Sequence, residues 1–351
     1  MTWENSEKVT LEELATQCGV SCMTVARAFR PEQPVAPATR RKVLQKAEAL
    51  GYQPRARMGR PRNAQSGERT AVEVIVGMAM DSIFYSELLM VIGRELAVKG
   101  HDCTVRLANG GFDEFVALCE VLRVTPPART LVVGYLPLPQ LRALLEVRPE
   151  AVLVDHTGDP GLELPYSSIA FDNVEAARIA VRHLVALGRK RILLVNGFSG
   201  HYFSRDVEAG YRGALANAGL SVDPDLIIET DFTAECAVSK VDQALKDGLR
   251  FDAVFTGDEI AAALLHVLHE RGIRVPEDVA IVGCDGLPFG RYTIPPLTTV
   301  FLDQEQLGRI AVKHVLDRER SENEHGSIRL LPRLELRAST QAIQQQSRGA
   351  I

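Results

Sequence analysis

The sequence predicts a small all-α helix-turn-helix headpiece joined to an α/β body of two lobes. Three observations predict it. Two short capped helices meet at Gly19, an arginine-rich stretch follows them, and from Thr70 onward nearly continuous apolar runs alternate with helical ones. A chain of 351 residues is too long for one small domain and suits a headpiece with two further lobes.

In chain order, Thr10 is placed to cap a first helix, with Glu13 three residues on completing a capping box, so a helix is expected from Leu11 to about Gln17. Leu11, Leu14, Ala15 and Cys18 form its apolar face. Gly19 permits a left-handed turn, Val20 fills the corner, and Ser21 caps a second helix from Cys22 to about Phe29. That helix turns Val25, Ala26 and Phe29 inward and offers Cys22, Met23, Thr24 and Arg27 outward. In a DNA-reading helix-turn-helix such residues meet base edges in the major groove, where arginine bonds guanine bidentately. An ordinary helical hairpin has the same caps and spacings. Pro37 and Thr39 open a third helix whose Val43, Leu44, Ala47 and Leu50 make one apolar stripe, and Gly51 ends it.

The body opens on VEVIVGMAM (72–80) and continues with TLVVGYL (130–136), AVLVDH (151–156), RILLVNG (191–197), DAVFTGD (252–258) and VAIVGCDG (279–286). Short, β-branched and continuously apolar, these runs fit parallel strands buried on both faces. Helical patterns such as YSELLMVIGRELAVKG, EAARIAVRHLVALG and IAAALLHVLHERG lie between them, which implies two parallel sheets with right-handed crossovers and a cleft between.

Charge is divided between the parts. Residues 1–67 hold eleven Lys and Arg against six Asp and Glu, a net of +5; the whole chain is −5, which leaves −10 on the remainder. A basic head on an acidic body suits a nucleic-acid module attached to a sensor. No signal peptide and no apolar run long enough for a bilayer is visible, so a cytoplasmic location is expected. The six cysteines are scattered, and free, packed thiols are expected rather than disulfides or zinc. His266 and His269 share a helix face without a third ligand and read as solvated; neither metal nor cofactor is expected.

The run VTLEELATQCGVSCMTVARAF, followed by VAPATRRKV and ALGYQP, resembles the headpiece of the lactose-repressor (LacI/GalR) family of bacterial transcription regulators. FDNVEAARIAVRHLVALGRKRILLVNG, FDAVFTGDEIAAALLHVLHERGIRVPEDVAIVGCDG and YTIPPLTTVFLDQEQLGRIAVKHVL resemble successive pieces of that family's effector domain, which is similar to periplasmic sugar-binding proteins. The resemblance runs from about residue 8 to 340. It implies a headpiece over 1–53, a basic hinge over 54–69, an effector and dimerisation domain over 70–340 and a polar tail over 341–351. The N-lobe is expected at about 70–170 and 299–327, the C-lobe at about 171–298 and 328–340, with crossings near Phe171, between Pro295 and Thr299, and near Ile328.

The resemblance implies operator reading by Cys22, Met23 and Arg27; the first two would act by apolar contact, for example with thymine methyl groups. In the family the hinge is a short helix that wedges a leucine into the minor groove. Here Pro61 occupies that place with Gly59 just before it, which disfavours a helix. Gly59-Arg60-Pro61-Arg62 instead resembles the core of an AT-hook, so Arg60 and Arg62 are expected to enter an A·T-rich minor groove. A flexible linker whose Arg55, Arg57, Arg60 and Arg62 touch only phosphates is the alternative.

Ligands of such sheets bind at the carboxyl ends of strands, in the crevice between lobes. Phe84, Tyr85, Asp258 and Asp285 lie after strands, and carboxylates there suit hydroxylated ligands. Phe232 matches the family aromatic that packs on a ligand ring, and Arg205 approximately matches the cleft arginine. Asp258 could instead cap the following helix, Phe84 could belong to the core, and His201 and Tyr202 could add hydrogen bonds or lie in a surface loop. MTVARAFRPEQPV and IAFDNVEAAR resemble gluconate-type regulators, and Arg205 could pair with a carboxylate, so a sugar acid such as gluconate or keto-gluconate is the expected effector, with a neutral or phosphorylated sugar as the alternative. The expected protein is a homodimeric, effector-controlled regulator, a repressor, on operator DNA. A solute-binding protein is disfavoured by the basic headpiece, and an enzyme by the lack of a nucleophile elbow or phosphate-binding glycine loop.

Overall fold

The computed structural model describes residues 11–29, 35–50, 71–77, 82–108, 110–125, 129–158, 161–317 and 325–341. The chain divides into two compact units, 1–67 and 68–351.

In the first unit, α1 (Leu11–Cys18), α2 (Cys22–Ala28) and α3 (Pro37–Ala49) enclose a core of Leu14, Ala15, Cys18, Val25, Ala28, Val43 and Ala47. Gly19 has φ +64°, the left-handed value that lets Val20 N–H reach Ala15 O at 3.1 Å and drop its side chain against the core. Ser21 Oγ accepts the Thr24 N–H at 3.2 Å and so caps α2. Arg40 of α3 donates to Ala28 O at 2.7 Å, satisfying a carbonyl left open at the end of α2. Leu44, expected in the apolar stripe of α3, is instead exposed, because Val43 and Ala47 already close this three-helix core. Thr10 and the linker arginines Arg55, Arg57, Arg60 and Arg62 lie outside the described residues, as do the side chains of Leu11, Cys22 and Ala26.

The second unit carries two six-stranded sheets. The first, in the order β11-β5-β4-β3-β1-β2, is parallel throughout: β1 (Val72–Val76), β2 (Cys103–Leu107), β3 (Arg129–Val133), β4 (Val152–Val154), β5 (Ser167–Phe171) and β11 (Ser327–Leu330). The second runs β12-β10-β9-β8-β6-β7: β6 (Ile192–Asn196), β7 (Ile227–Glu229), β8 (Ala253–Phe255), β9 (Ala280–Asp285), β10 (Thr298–Phe301) and β12 (Arg333–Glu335), the last antiparallel to β10. Helices α4 (Ile83–Val98), α5 (Phe112–Val124), α6 (Leu138–Val147), α7 (Asn173–Ala186), α8 (Tyr202–Asn217), α9 (Ala234–Lys246), α10 (Asp258–Glu270) and α11 (Gln304–Leu316) cover them.

The chain passes between sheets three times. The first crossing follows Phe171. The second was expected between Pro295 and Thr299 but follows Phe301, since Thr298–Phe301 pairs alongside β9 and only then does the chain return to pack α11 on α4. The third follows Leu330 rather than Ile328, because β11 keeps its register on β5 through Leu330. Strands β2, β7, β11 and β12 are largely exposed or half-buried, so they lack the continuous buried apolar run that marks their central neighbours.

Five cysteines of the described residues are free, with Cys18, Cys119 and Cys284 buried, Cys236 half-buried and Cys103 exposed. No helix among the described residues is long and apolar enough to cross a membrane.

Candidate DNA-reading helix and interlobe cleft

On α2 the burial of Val25 and Ala28 turns the opposite face outward, so Met23 and Arg27 are exposed and Met23 retains 64% of its surface. The Thr24 hydroxyl is held 2.9 Å from that of Ser21, which ties it to the cap. An apolar tip and a guanidinium four residues apart lie about one helical turn apart on the same surface.

In the body, the strand-end residues sort into two groups. Phe84 enters the core: it is 5% exposed and packs edge-on against Phe171 at 6.3 Å and Tyr85 at 5.1 Å. Tyr85 turns toward the cleft, where its hydroxyl donates to Asp155 Oδ2 at 2.9 Å. Tyr202 of α8, in the other lobe, donates its hydroxyl to the Asp155 carbonyl oxygen. Asp155, at the end of β4 with φ +53°, thus holds one tyrosine from each lobe. Burial pushes its carboxyl up to about 6 against the opposing effects of the Tyr85 hydrogen bond and Arg329. A second tie joins the lobes where Ser82 Oγ donates to Glu259 at 3.4 Å.

Beside this tie lies a cluster of rings. Tyr135, which follows β3, stands 4.3 Å from His201; His156 stands 4.5 Å from Tyr202; and His201 stands 4.9 Å from Phe232. His201 and Tyr202 are buried rather than in a surface loop. Burial, with the nearby His156 and Arg205, lowers the His201 pKa to about 3, so its ring is neutral at pH 7. Phe232 sits at φ +70° in a turn whose N–H is accepted by Thr230 Oγ1 at 3.1 Å, and it keeps 38% of its surface exposed. Gly197 makes this placement possible, since a Cβ there would lie 1.9 Å from the Phe232 ring.

Asp258 and Asp285 form the second group. Asp258 is fully buried at the first position of α10, but its carboxylate does not cap that helix; it accepts the Leu287 N–H at 2.7 Å and the Thr299 hydroxyl at 2.7 Å. Gly283 leaves room for it, because a Cβ there would meet Asp258 Oδ1 at 2.0 Å. Burial raises its pKa to about 7, and burial together with the charges of Asp258 and Asp155 raises that of Asp285 well above the ordinary carboxylate range. Asp258 therefore positions the loop that carries Asp285, whose φ of +114° turns it from the line of β9.

Arg205 belongs to neither group. It is exposed on the wall of a separate cavity of about 410 Å³ at the lobe crossovers, with Asp172, Asn173, Asp206 and Arg329. Sequence reasoning overlooked Asp155, Tyr135 and Arg329. Asp155 carried a usable signal, a carboxylate directly after a buried apolar run, as at Asp285; Arg329, on an edge strand, carried none. Among the described residues no group of three His, Cys, Asp or Glu is arranged to hold a metal.

Residues 10–55 match the model of bacterial regulatory proteins, lacI family, and residues 181–340 that of a periplasmic binding protein-like domain. The HTH-type transcriptional repressor CytR of Escherichia coli (strain K12) is 30% identical over 339 residues, covering 95% of this chain and 97% of that protein. Catabolite control protein A of Priestia megaterium is 29% identical over 336 residues, covering 95% and 99%. Among solved structures, a transcriptional regulator CelR–cellobiose complex matches with TM-score 0.69 and 29% identity over 95% of this chain and all of that one. A Lac repressor dimer bound to operator and the anti-inducer ONPF matches with TM-score 0.69 and 25% identity, over 95% and 99%.

Proposed function

The chain belongs to the lacI family of bacterial regulatory proteins, and we propose that it is a homodimeric repressor that binds a two-fold operator through α2 and releases or engages it according to a small hydroxylated effector held between the lobes. The observation that carries this reading is the outward pairing of Met23 and Arg27 on a helix whose other face is locked by Ser21, Val25 and Ala28. Arg27 bonds a guanine, while Cys22 and Met23 contact thymine methyls; Arg55, Arg57, Arg60 and Arg62 follow the backbone or an A·T-rich minor groove at the centre. One headpiece is too small for high specificity, so two are needed. Exposed Met90 and Val98 on α4, with Val105 and Leu107 on the edge strand β2, support a dimer face, because such side chains on an open strand invite a partner.

For the effector, Arg205 on the cavity wall supports a sugar acid such as gluconate or keto-gluconate. Asp285 favours a second reading, a neutral sugar, since beside its burial it already faces the charges of Asp258 and Asp155, which would repel an added anion.

Gel shifts on the protein's own promoter region test the DNA reading. Arg27→Ala should weaken binding by about 1–3 kcal/mol and relax preference at one base pair per half-site, as expected for loss of a bidentate contact. Equal weakening on every sequence would demote Arg27 to a phosphate contact. Gluconate that alters the shift where glucose does not would support the sugar acid; the reverse would favour the neutral sugar.

A further inference from the structure

The cavity at the crossovers is lined from both lobes. Arg329 comes from β11 of the N-lobe; Arg205 and Asp206 come from α8, and Asn173 opens α7, in the C-lobe. Asn173 is 2% exposed, and neither its amide nitrogen nor its amide oxygen has a hydrogen-bond partner among the described residues. Buried amides are nearly always satisfied, so an orphaned one on a cavity wall marks a place for an absent partner. Arg329 spends one nitrogen on Thr157 O, at 3.3 Å, and a guanidinium has five N–H groups. The opposing charges are engaged or weakened: Asp172 Oδ1 caps α7 by accepting the Glu175 N–H at 2.9 Å, and burial raises the pKa of Asp206.

We propose that this cavity binds the anionic group of a hydroxylated ligand, with Arg329 and Arg205 closing on it from opposite lobes, the Asn173 amide donating a third hydrogen bond, and Asp172 and Asp206 accepting from hydroxyls. Two arginines suit a carboxylate or a phosphate, and a volume of about 410 Å³ suits a six-carbon chain. The inference rests on the effector reading above and adds that Arg329, which no family resemblance singled out, sets the charge specificity. A ligand gripped from both lobes favours the lobe orientation in which both arginines reach it, which is the differential affinity a switch requires.

The test uses the full chain, titrated with gluconate, 6-phosphogluconate, inorganic phosphate and glucose while the melting temperature and calorimetric affinity are followed. Gluconate or 6-phosphogluconate should bind, and Arg329→Gln and Arg205→Gln should each weaken that binding at least tenfold and weaken any glucose binding less. Arg329→Lys, which keeps the charge and loses the fork, should fall between, and it serves if the glutamine variant folds poorly. The carboxylate and phosphate sources are separated by which of gluconate and inorganic phosphate responds to Arg329. Anion binding indifferent to Arg329, or no anion binding by the wild type, overturns the proposal. If glucose alone binds and shifts operator affinity, the anion site fails while the effector-controlled regulator stands; if no sugar or anion binds, both fail.

Discussion

At the scale of single residues, Asp155 is the most informative. It holds a left-handed backbone, accepts from Tyr85 and offers its carbonyl to Tyr202, so one residue ties the two lobes. Its folded pKa of about 6 lies above the ordinary 3.8 because burial opposes the charge. The protonated carboxyl is therefore the form the fold prefers: its stabilisation is complete below about pH 4 and is lost as pH rises through about 6. Two pKa units correspond to roughly 3 kcal/mol. Asparagine keeps the acceptor for Tyr85 and tolerates the left-handed conformation. Asp155→Asn should therefore show a flatter melting temperature between pH 4.5 and 7.5 than the wild type, the wild type losing a few degrees more over that range. Parallel curves would show that the ionised carboxylate is tolerated. Asp258, raised to about 7, acts in the same direction and leaves a residual slope in the variant.

At the scale of elements, each lobe depends on one glycine that lets two helices approach. Gly210 of α8 faces α7, where a Cβ would stand 2.2 Å from Val174 O and 2.8 Å from Ala177 Cβ; Gly308 of α11 faces α4, where it would stand 2.6 Å from Val91 Cγ1. The first obstacle includes backbone and the second is the tip of a side chain. Gly210→Ala should therefore cost more than Gly308→Ala, about 1–3 kcal/mol by denaturant unfolding, even though alanine is the better helix former. Gly210 also lies on the helix that carries His201, Tyr202 and Arg205, so its variant should disturb ligand binding as well, whereas Gly308→Ala should not. An equal, small effect at both sites would mean that α7 and α8 slide apart freely.

At the scale of the whole molecule, the two units divide both charge and task. In the function proposed above, the basic headpiece would supply DNA affinity, the acidic body would hold the effector, and pairing of headpieces would depend on association of the bodies. Met90→Glu combined with Val105→Glu places charges on the exposed apolar face of α4 and β2 without touching the core. The double variant should sediment as a monomer and lose operator affinity by at least tenfold while keeping its melting cooperativity and effector binding. A dimer that survives both charges would move the interface elsewhere, for example to Tyr292 and Ile294, which are also exposed.

The sequence by itself determined what local periodicity and chain geometry dictate. The left-handed Gly19, the Ser21 cap and the outward Met23 and Arg27 follow from a few adjacent residues, and the central strands follow from runs that must be buried on both faces. The crossing near Phe171 came from the family resemblance rather than from periodicity, at the point where the buried strand Ser167–Phe171 gives way to a capped helix. Only the tertiary structure decided which strand-end residues meet. Phe84 and Tyr85 are neighbours in sequence, yet one enters the core and the other reaches Asp155 seventy residues away. Asp258 became a buried support because glycine at 283 leaves it room, which no property of Asp258 announces. The crossover cavity draws Asn173, Arg205 and Arg329 from three separate segments. Such a site is a product of crossings between sheets, and side-chain periodicity along one element carries no information about which other element it will face.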